Sequence, residues 1–258
     1  MTIDFSKITV YELLALVLAT VALFIPLVQW AWKKWCVKPI LRHLPTGRAF
    51  LFINRSGSYI QIQGVYEAQN KPISVKNIML KIIRKKDDKA LNLKWSTFTS
   101  PVNQRIVGNF ASTTEIAHPF RIDADSIVCA FTEFGDFFNS SEKTFQPFYN
   151  ALVKDVKEIC VLGLPFDQAI KKYKSAKSYA AATDALKSEL FWEIGQYEII
   201  MEVGHGKESS KFLYEFEVNS EDHQHLLHNI DETLLSPLKD AYRIPYDLQI
   251  VQVELKDK

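Results

Sequence analysis

Leu13–Trp32 reads LLALVLATVALFIPLVQWAW, twenty residues without one charge. At about 1.5 Å of rise per residue, a helix of that length spans about 30 Å, the thickness of a bilayer's hydrocarbon core. The run is apolar all round, whereas a surface helix of a soluble domain keeps a polar face. A cleaved secretory signal ends in small residues. Here Gln29-Trp30-Ala31-Trp32-Lys33-Lys34-Trp35 is bulky and basic instead. Tyr11 stands at one end, and Trp30, Trp32 and Trp35 at the other. Amphipathic rings of this kind settle at the two lipid–water boundaries. The reading is a single membrane-spanning helix. Pro26 lies inside it and predicts a kink near the Trp end. The run contains no Gly-x-x-x-Gly, the spacing of a close-packed helix dimer.

The flanking charges predict an orientation. Lys7 stands against Asp4 and Glu12 before the span. After it come Lys33, Lys34, Lys38, Arg42 and Arg48, with no acid until Glu67. Basic flanks stay on the cytoplasmic side, so the N-terminus is expected outside and the soluble domain in the cytoplasm. Tyr11, Trp30, Trp32, Lys33, Lys34, Trp35, Lys38 and Arg42 are the expected membrane-interface residues, with the bilayer as first partner. Cys36, Cys129 and Cys160 are an odd set without tight spacing, which does not suggest a disulfide framework.

Working outward, Val37–Gly47 reads as a basic connector. Pro39 and Pro45 bracket Ile40–Leu44, where one turn of helix on the membrane surface and a plain linker are equal readings. From Arg48 the hydrophobic period becomes two. Ala49–Asn54, Ile60–Gln63, Ser74–Arg84 and Leu91–Trp95 read as strands, followed after a polar loop at Ser100–Ala117 by Phe120–Ala124 and Ile127–Phe134. Gly64 suggests a bulge or close backbone approach. In general appearance the alternation at 58–84 resembles immunoglobulin-like and arrestin-like sandwiches, which implies antiparallel sheets.

After Gly135 the period becomes helical. Phe148, Leu152, Val156 and Ile159 mark one helix. Phe166–Leu190 is expected as a second, long one, with its stripe on Phe166, Ile170, Tyr173, Ala176, Ala180, Leu186 and Leu190. Tyr197–Val203 and Phe212–Val218 are two alternating strands around a Gly-bearing loop, a clear hairpin. Asn219 or Ser220 caps a helix interrupted at Pro237, and a strand with a bulge at Ile250/Val251 closes the chain. The expected organisation is an N-terminal transmembrane anchor at 1–36 and a basic juxtamembrane connector at 37–48. An antiparallel β-sandwich follows at 49–258, mainly β, with a helical insertion at about 136–192.

Composition narrows function. A net charge of +1 argues against a general nucleic-acid binder, whose binding face is strongly basic. The chain has no Gly-x-Ser-x-Gly, no Walker-type phosphate loop and no dinucleotide fingerprint. His225 and His228 share a helix face at i, i+3 and are the nearest metal candidates. They lack a companion set of zinc spacing, so no metal, cofactor or catalytic residue is expected. Basic residues gather at 71–94 and again at 171–187, a solvated face or a surface for the inner leaflet. The expectation is a non-enzymatic scaffold or sensor whose domain binds a protein partner or a second copy. Two alternatives stand beside it: an oligomeric, ligand-responsive membrane effector, a layout found among bacterial defence systems, and an extracytoplasmic adhesion or assembly module.

Overall fold

Alternating strands that each bury one face need a second layer, and here the sheet supplies its own by curling. A computed structural model describes residues 9–99, 104–106, 109–111, 114–135 and 140–258. Helix α1 (Val10–Trp35) leads into β1 (Ile40–Asn54), β2 (Gly57–Gln69), β3 (Ile73–Arg84) and β4 (Lys89–Thr99). Short strands β5 (Gln104–Ile106), β6 (Asn109–Ala111), β7 (Thr114–Ile116) and β8 (Phe120–Ile122) precede β9 (Ser126–Gly135). Helices α2 (Ser140–Val161), α3 (Phe166–Lys174) and α4 (Lys177–Ser188) form the insertion. Then come β10 (Gly195–His205), β11 (Glu208–Val218), α5 (Ser220–Tyr242), β12 (Val251–Glu254) and β13 (Lys256–Asp257). The expected start of the insertion at 136–139, part of the loop at 100–117 and residues 1–8 lie outside the described residues.

The fold is mainly antiparallel sheet with an N-terminal apolar helix, as expected. The main sheet runs β12-β1-β2-β9-β4-β3-β10-β11-β13. Its two ends are consecutive in sequence: β12 pairs with β1, β13 with β11, and only Leu255 separates them. The last strand therefore closes the sheet into a barrel-like sandwich. Because β10 pairs along β3, the strands before and after the helical insertion share one sheet. Its interior is filled from β1, β2, β3, β9 and β10 among others, with Leu51, Ile60, Ile62, Tyr66, Leu80, Ile82, Phe134, Tyr197 and Ile199 at 0–1% exposure. At the exit of the insertion, Trp192 donates its indole N–H to the Phe52 carbonyl at 2.9 Å and packs edge-on to Tyr197 and Phe216.

Several expectations change. Residues 40–48, read as connector, are the first half of β1 and pair Ile40–Pro45 with Gly64–Gln69. Pro45 and Gly47 mark a bulge inside the strand rather than its beginning: the register shifts between Pro45 and Ala49, and Gly47 adopts φ 77°. The bulge also lets the Leu255 N–H donate to the Gly47 carbonyl at 2.9 Å, which seats β12. The long helix at 166–190 is broken at Ser175-Ala176, where Ala176 is extended. Contacts with α5 override helix propensity there. Lys174 and Tyr179, on opposite sides of the break, both reach the Asp231 carboxylate. The break shifts the apolar stripe to Tyr179, Ala182 and Leu186, and Ala180 is exposed. Helix α5 continues past Pro237 because the Ser236 hydroxyl donates to the Thr233 carbonyl at 2.8 Å, the acceptor a proline at 237 leaves free. The final strand begins only at Val251, so the change of face at Ile250 is a strand start, not a bulge. Cys129, whose apolar strand Ile127–Phe134 predicts a buried small side chain, is exposed instead.

Candidate functional site

Helix α1 stands clear of the domain. Leu13–Trp35 is 23 residues long with mean hydropathy 2.3, and none of its most apolar stretch is buried within the protein. This one helix is long and apolar enough to cross a membrane. From Tyr11 to Trp32 the helix rises about 32 Å, a length that matches one hydrocarbon core. Trp30, Trp32 and Trp35 are 57–73% exposed. Trp30 and Trp35 meet edge-on at 6.2 Å, and the Lys34 ammonium lies 4.8 Å over the Trp30 ring. Lys33, Lys38 and Arg42 are exposed, with Arg42 facing outward on β1 opposite Glu67.

The last turn of α1 is tied to the domain through the β2–β3 turn. The Lys71 ammonium donates to the Lys34 carbonyl at 2.8 Å, and the Asn70 amide to the Lys38 carbonyl at 3.2 Å. Asn70 adopts φ 71° and its N–H donates to Asp125 at 2.9 Å, which binds the β8–β9 turn to the same end. The apolar helix therefore has a defined seat, built from residues whose turn chemistry is legible but whose partner is not.

The basic stretch 71–94 is spread along β3 and β4: Lys71 and Lys76 stand near the start of β3, Lys81 and Lys94 are exposed on the outer face midway, and Lys85, Lys86 and Lys89 stand at the other end. Arg84 is buried and engages Asp87 through two bonds of 2.7 and 2.8 Å, Glu193 at 2.8 Å and the Phe191 carbonyl at 3.2 Å. The guanidinium holds the Asp87 carboxyl well below its usual range, at about 2. Lys85 pairs with Glu215 at 2.9 Å and Lys86 with Glu193 at 3.6 Å. Arg84 and Lys86 thus clamp the β3–β4 turn to the exit of the insertion, and Lys85 ties the same turn to β11.

The histidines of α5 diverge. His223 meets the Trp192 carbonyl at 2.9 Å, and His228 the Asp247 carbonyl at 2.8 Å. Among the described residues no three His, Cys, Asp or Glu side chains gather as a metal would require. Instead α5 uses polar groups to hold Asp247–Gln249. Asn229 exchanges two hydrogen bonds with the Gln249 backbone at 2.7 and 2.8 Å, and Glu232 accepts from the Asp247 N–H at 2.9 Å and from Lys239.

A cleft of about 580 Å³ opens where β11 and β12 part at the barrel seam. Among the described residues the edge Phe216–Val218 has β10 on one side and this cleft on the other. Gln196, Glu215, Glu217, Asp222 and Gln252 are among its lining residues. Glu215 is committed to Lys85 and Lys258, which lower its pKa, and Asp222 to the capping box of α5. The lining has no Ser, Cys or His to act as a nucleophile or imidazole base.

No family model matches the chain, and no curated protein matches it. Among solved structures, a family 123 glycoside hydrolase from Clostridium perfringens, described for glycolipid glycan hydrolysis, is similar over 70% of this chain and 28% of its own. Identity is 12% and the TM-score 0.31. The chain spans little more than a quarter of that relative's length, and a likeness of that size carries no argument about this chain.

Proposed function

We propose that this is a single-pass membrane protein whose barrel-like domain works as a non-enzymatic scaffold or sensor for a protein partner on the cytoplasmic side. The carrying observation is α1: apolar, 23 residues long, clear of the domain and bracketed by Tyr11 and the three tryptophans. Orientation rests on Lys33, Lys34, Lys38, Arg42 and Arg48 following the span. A partner-binding role is supported by the clusters of ionisable groups being spent on the fold: Arg84 on its clamp, Asp231 on α3 and α4, Glu232 and Lys239 on the closing segment. The polar seam beside Phe216–Val218 is the surface offered to a partner segment.

The test is a fusion of a reporter active only in the cytoplasm after Lys258, combined with site-specific photo-crosslinking from Gln252 in intact cells. An active reporter and a discrete crosslinked species, lost when Glu217 and Glu254, which line the same cleft, are changed to Lys, are expected. An inactive reporter overturns the orientation, and a crosslinking pattern indifferent to those changes overturns the seam as partner surface.

A further inference from the structure

The outer face of the sheet is apolar where the chain leaves the span. Ile40, Leu44, Ile127 and Cys129 are all exposed, Leu44 by 51% and Ile127 by 61%. Strand register sets them together. Leu44 lies opposite Val65, and Val65 opposite Cys129; one row nearer the span, Arg42 lies opposite Glu67, and Glu67 opposite Ile127. The inward faces of these strands are accounted for by Leu41, Tyr66, Ala68 and Ala130 in the core.

Ile127-Val128-Cys129-Ala130-Phe131 is apolar at every position, the pattern of a strand covered on both faces. In the far half of the same strands the outward aromatics Phe50, Phe52, Tyr59 and Phe131 are half-buried. Helix α5 lies against β1, and at the far end Arg55 reaches from the β1–β2 turn over Tyr149 of α2. In the near half the outward residues are exposed and need a different cover.

We propose that this cover is the bilayer surface: the barrel lies down on the membrane by the span-proximal outer face of β1, β2 and β9. The proposal rests on α1 being a span. Continuity with that span selects lipid as the occupant. Ile40 comes five residues after Trp35, and Asn70 and Lys71 hold the same end against α1. Lengths decide that the barrel lies rather than stands. Leu44 is four residues beyond Ile40, about 13 Å along a strand. A headgroup layer is about 5–7 Å deep. An upright barrel would leave Leu44 and Cys129 in water. The surrounding charges suit an anionic surface: Lys33, Lys34, Lys38 and Arg42 are exposed beside the patch, against Glu67 within it and Asp123 and Asp125 on the β8–β9 turn, where Arg121 pairs with Asp123.

Cys129 is a native probe of this face. In full-length protein with Cys36 and Cys160 changed to Ser, a polarity-sensitive fluorophore is attached at Cys129. The protein is then reconstituted into vesicles of phosphatidylcholine and phosphatidylserine. A second protein carries the label at residue 86 through Lys86→Cys, with all three native cysteines changed to Ser. Lipids bearing a shallow nitroxide should remove most of the Cys129 emission and leave the residue-86 emission largely intact, while aqueous iodide should do the reverse. Leu44→Glu with Ile127→Glu should move the Cys129 label into water while the protein stays in the vesicles. Equal iodide quenching at both positions overturns the proposal. A Cys129 label shielded from iodide and also untouched by nitroxide lipid means a second protein surface covers the patch, which overturns it too. Release of the unlabelled protein from the vesicles by alkaline carbonate is a separate result and counts against the span itself.

Discussion

The imidazole of His43 sits over Gly64 so closely that a Cβ at position 64 would lie 2.3 Å from its Nε2 atom. His43 cannot swing aside cheaply. Its Nδ1 is 2.7 Å from the Tyr214 hydroxyl, and its ring packs on Tyr66 at 4.7 Å and Phe212 at 5.8 Å. This contact joins β1, β2 and β11 across the barrel. Gly64→Ala should therefore destabilise the full chain by about 1–3 kcal/mol, the usual cost of overpacking a core. Thermal unfolding in mild detergent reads it. His43→Ala removes the obstacle, so the two changes together should cost less than their sum. Additivity within error would mean the ring does not restrain position 64.

His43 also predicts a pH dependence. Burial disfavours the imidazolium and pushes its pKa from 6.5 down to about 3. Among neighbouring ionisable groups, Tyr214 and Tyr66 face it, both pushed upward by burial, so no carboxylate contact offsets the penalty. The unfolded histidine binds a proton first as pH falls. Its contribution to stability is complete above about pH 6.5 and is lost as pH drops toward 3. At about 1.4 kcal/mol per unit, near pH 5 the loss is about 2 kcal/mol. Unfolding between pH 7 and 5 should show this slope in the natural chain and lose most of it in His43→Phe. An unchanged slope would mean another group sets the acid limit.

Phe216 tests the hairpin that the alternation predicts. It is 4% exposed and stacks on Tyr197 at 4.9 Å with the rings 7° apart. Phe216→Ala should cost about 3–5 kcal/mol. Leu213 on the same strand faces outward at 41% exposure, and Leu213→Ala should stay within about 0.5 kcal/mol. Similar costs for both would contradict the assigned faces.

Much of this architecture is legible because one face of each strand is buried while the other is wet. Tyr197, Ile199, Met201 and Val203 announce their hairpin by period alone. At 127–131 both parities are apolar, so periodicity could not say that Cys129 faces out. Pro45 and Gly47 look like a linker in sequence, since a bulge and a linker use the same residues. The break at Ser175-Ala176 carries no Gly or Pro; it follows from Asp231, 55 residues further on, gathering Lys174 and Tyr179. The apolar helix is legible from composition, whereas the seat of its last turn on Asn70 and Lys71 depends on a tertiary contact that no local pattern encodes.

The closing segment should depend on α5. Asn229 is 3% exposed and bonds both the N–H and the carbonyl of Gln249, just before β12. Asn229→Leu leaves those backbone groups without partners, a loss of about 1–3 kcal/mol. The expected sign is faster proteolytic cleavage within 243–250 under native conditions, with the β10–β11 hairpin still protected. Cleavage unchanged from the natural chain would mean β12 and β13 hold the closure without α5.

The anchor itself is tested most directly by extraction of the full-length protein from membranes. Apolar burial of Leu13–Val28 is insensitive to salt, whereas attraction through Lys33, Lys34, Lys38 and Arg42 is screened within about 8–10 Å at ordinary ionic strength. The protein should remain in the membrane fraction through high salt and through alkaline carbonate, and enter solution only in detergent. Release by salt or carbonate without detergent would contradict a membrane-spanning α1.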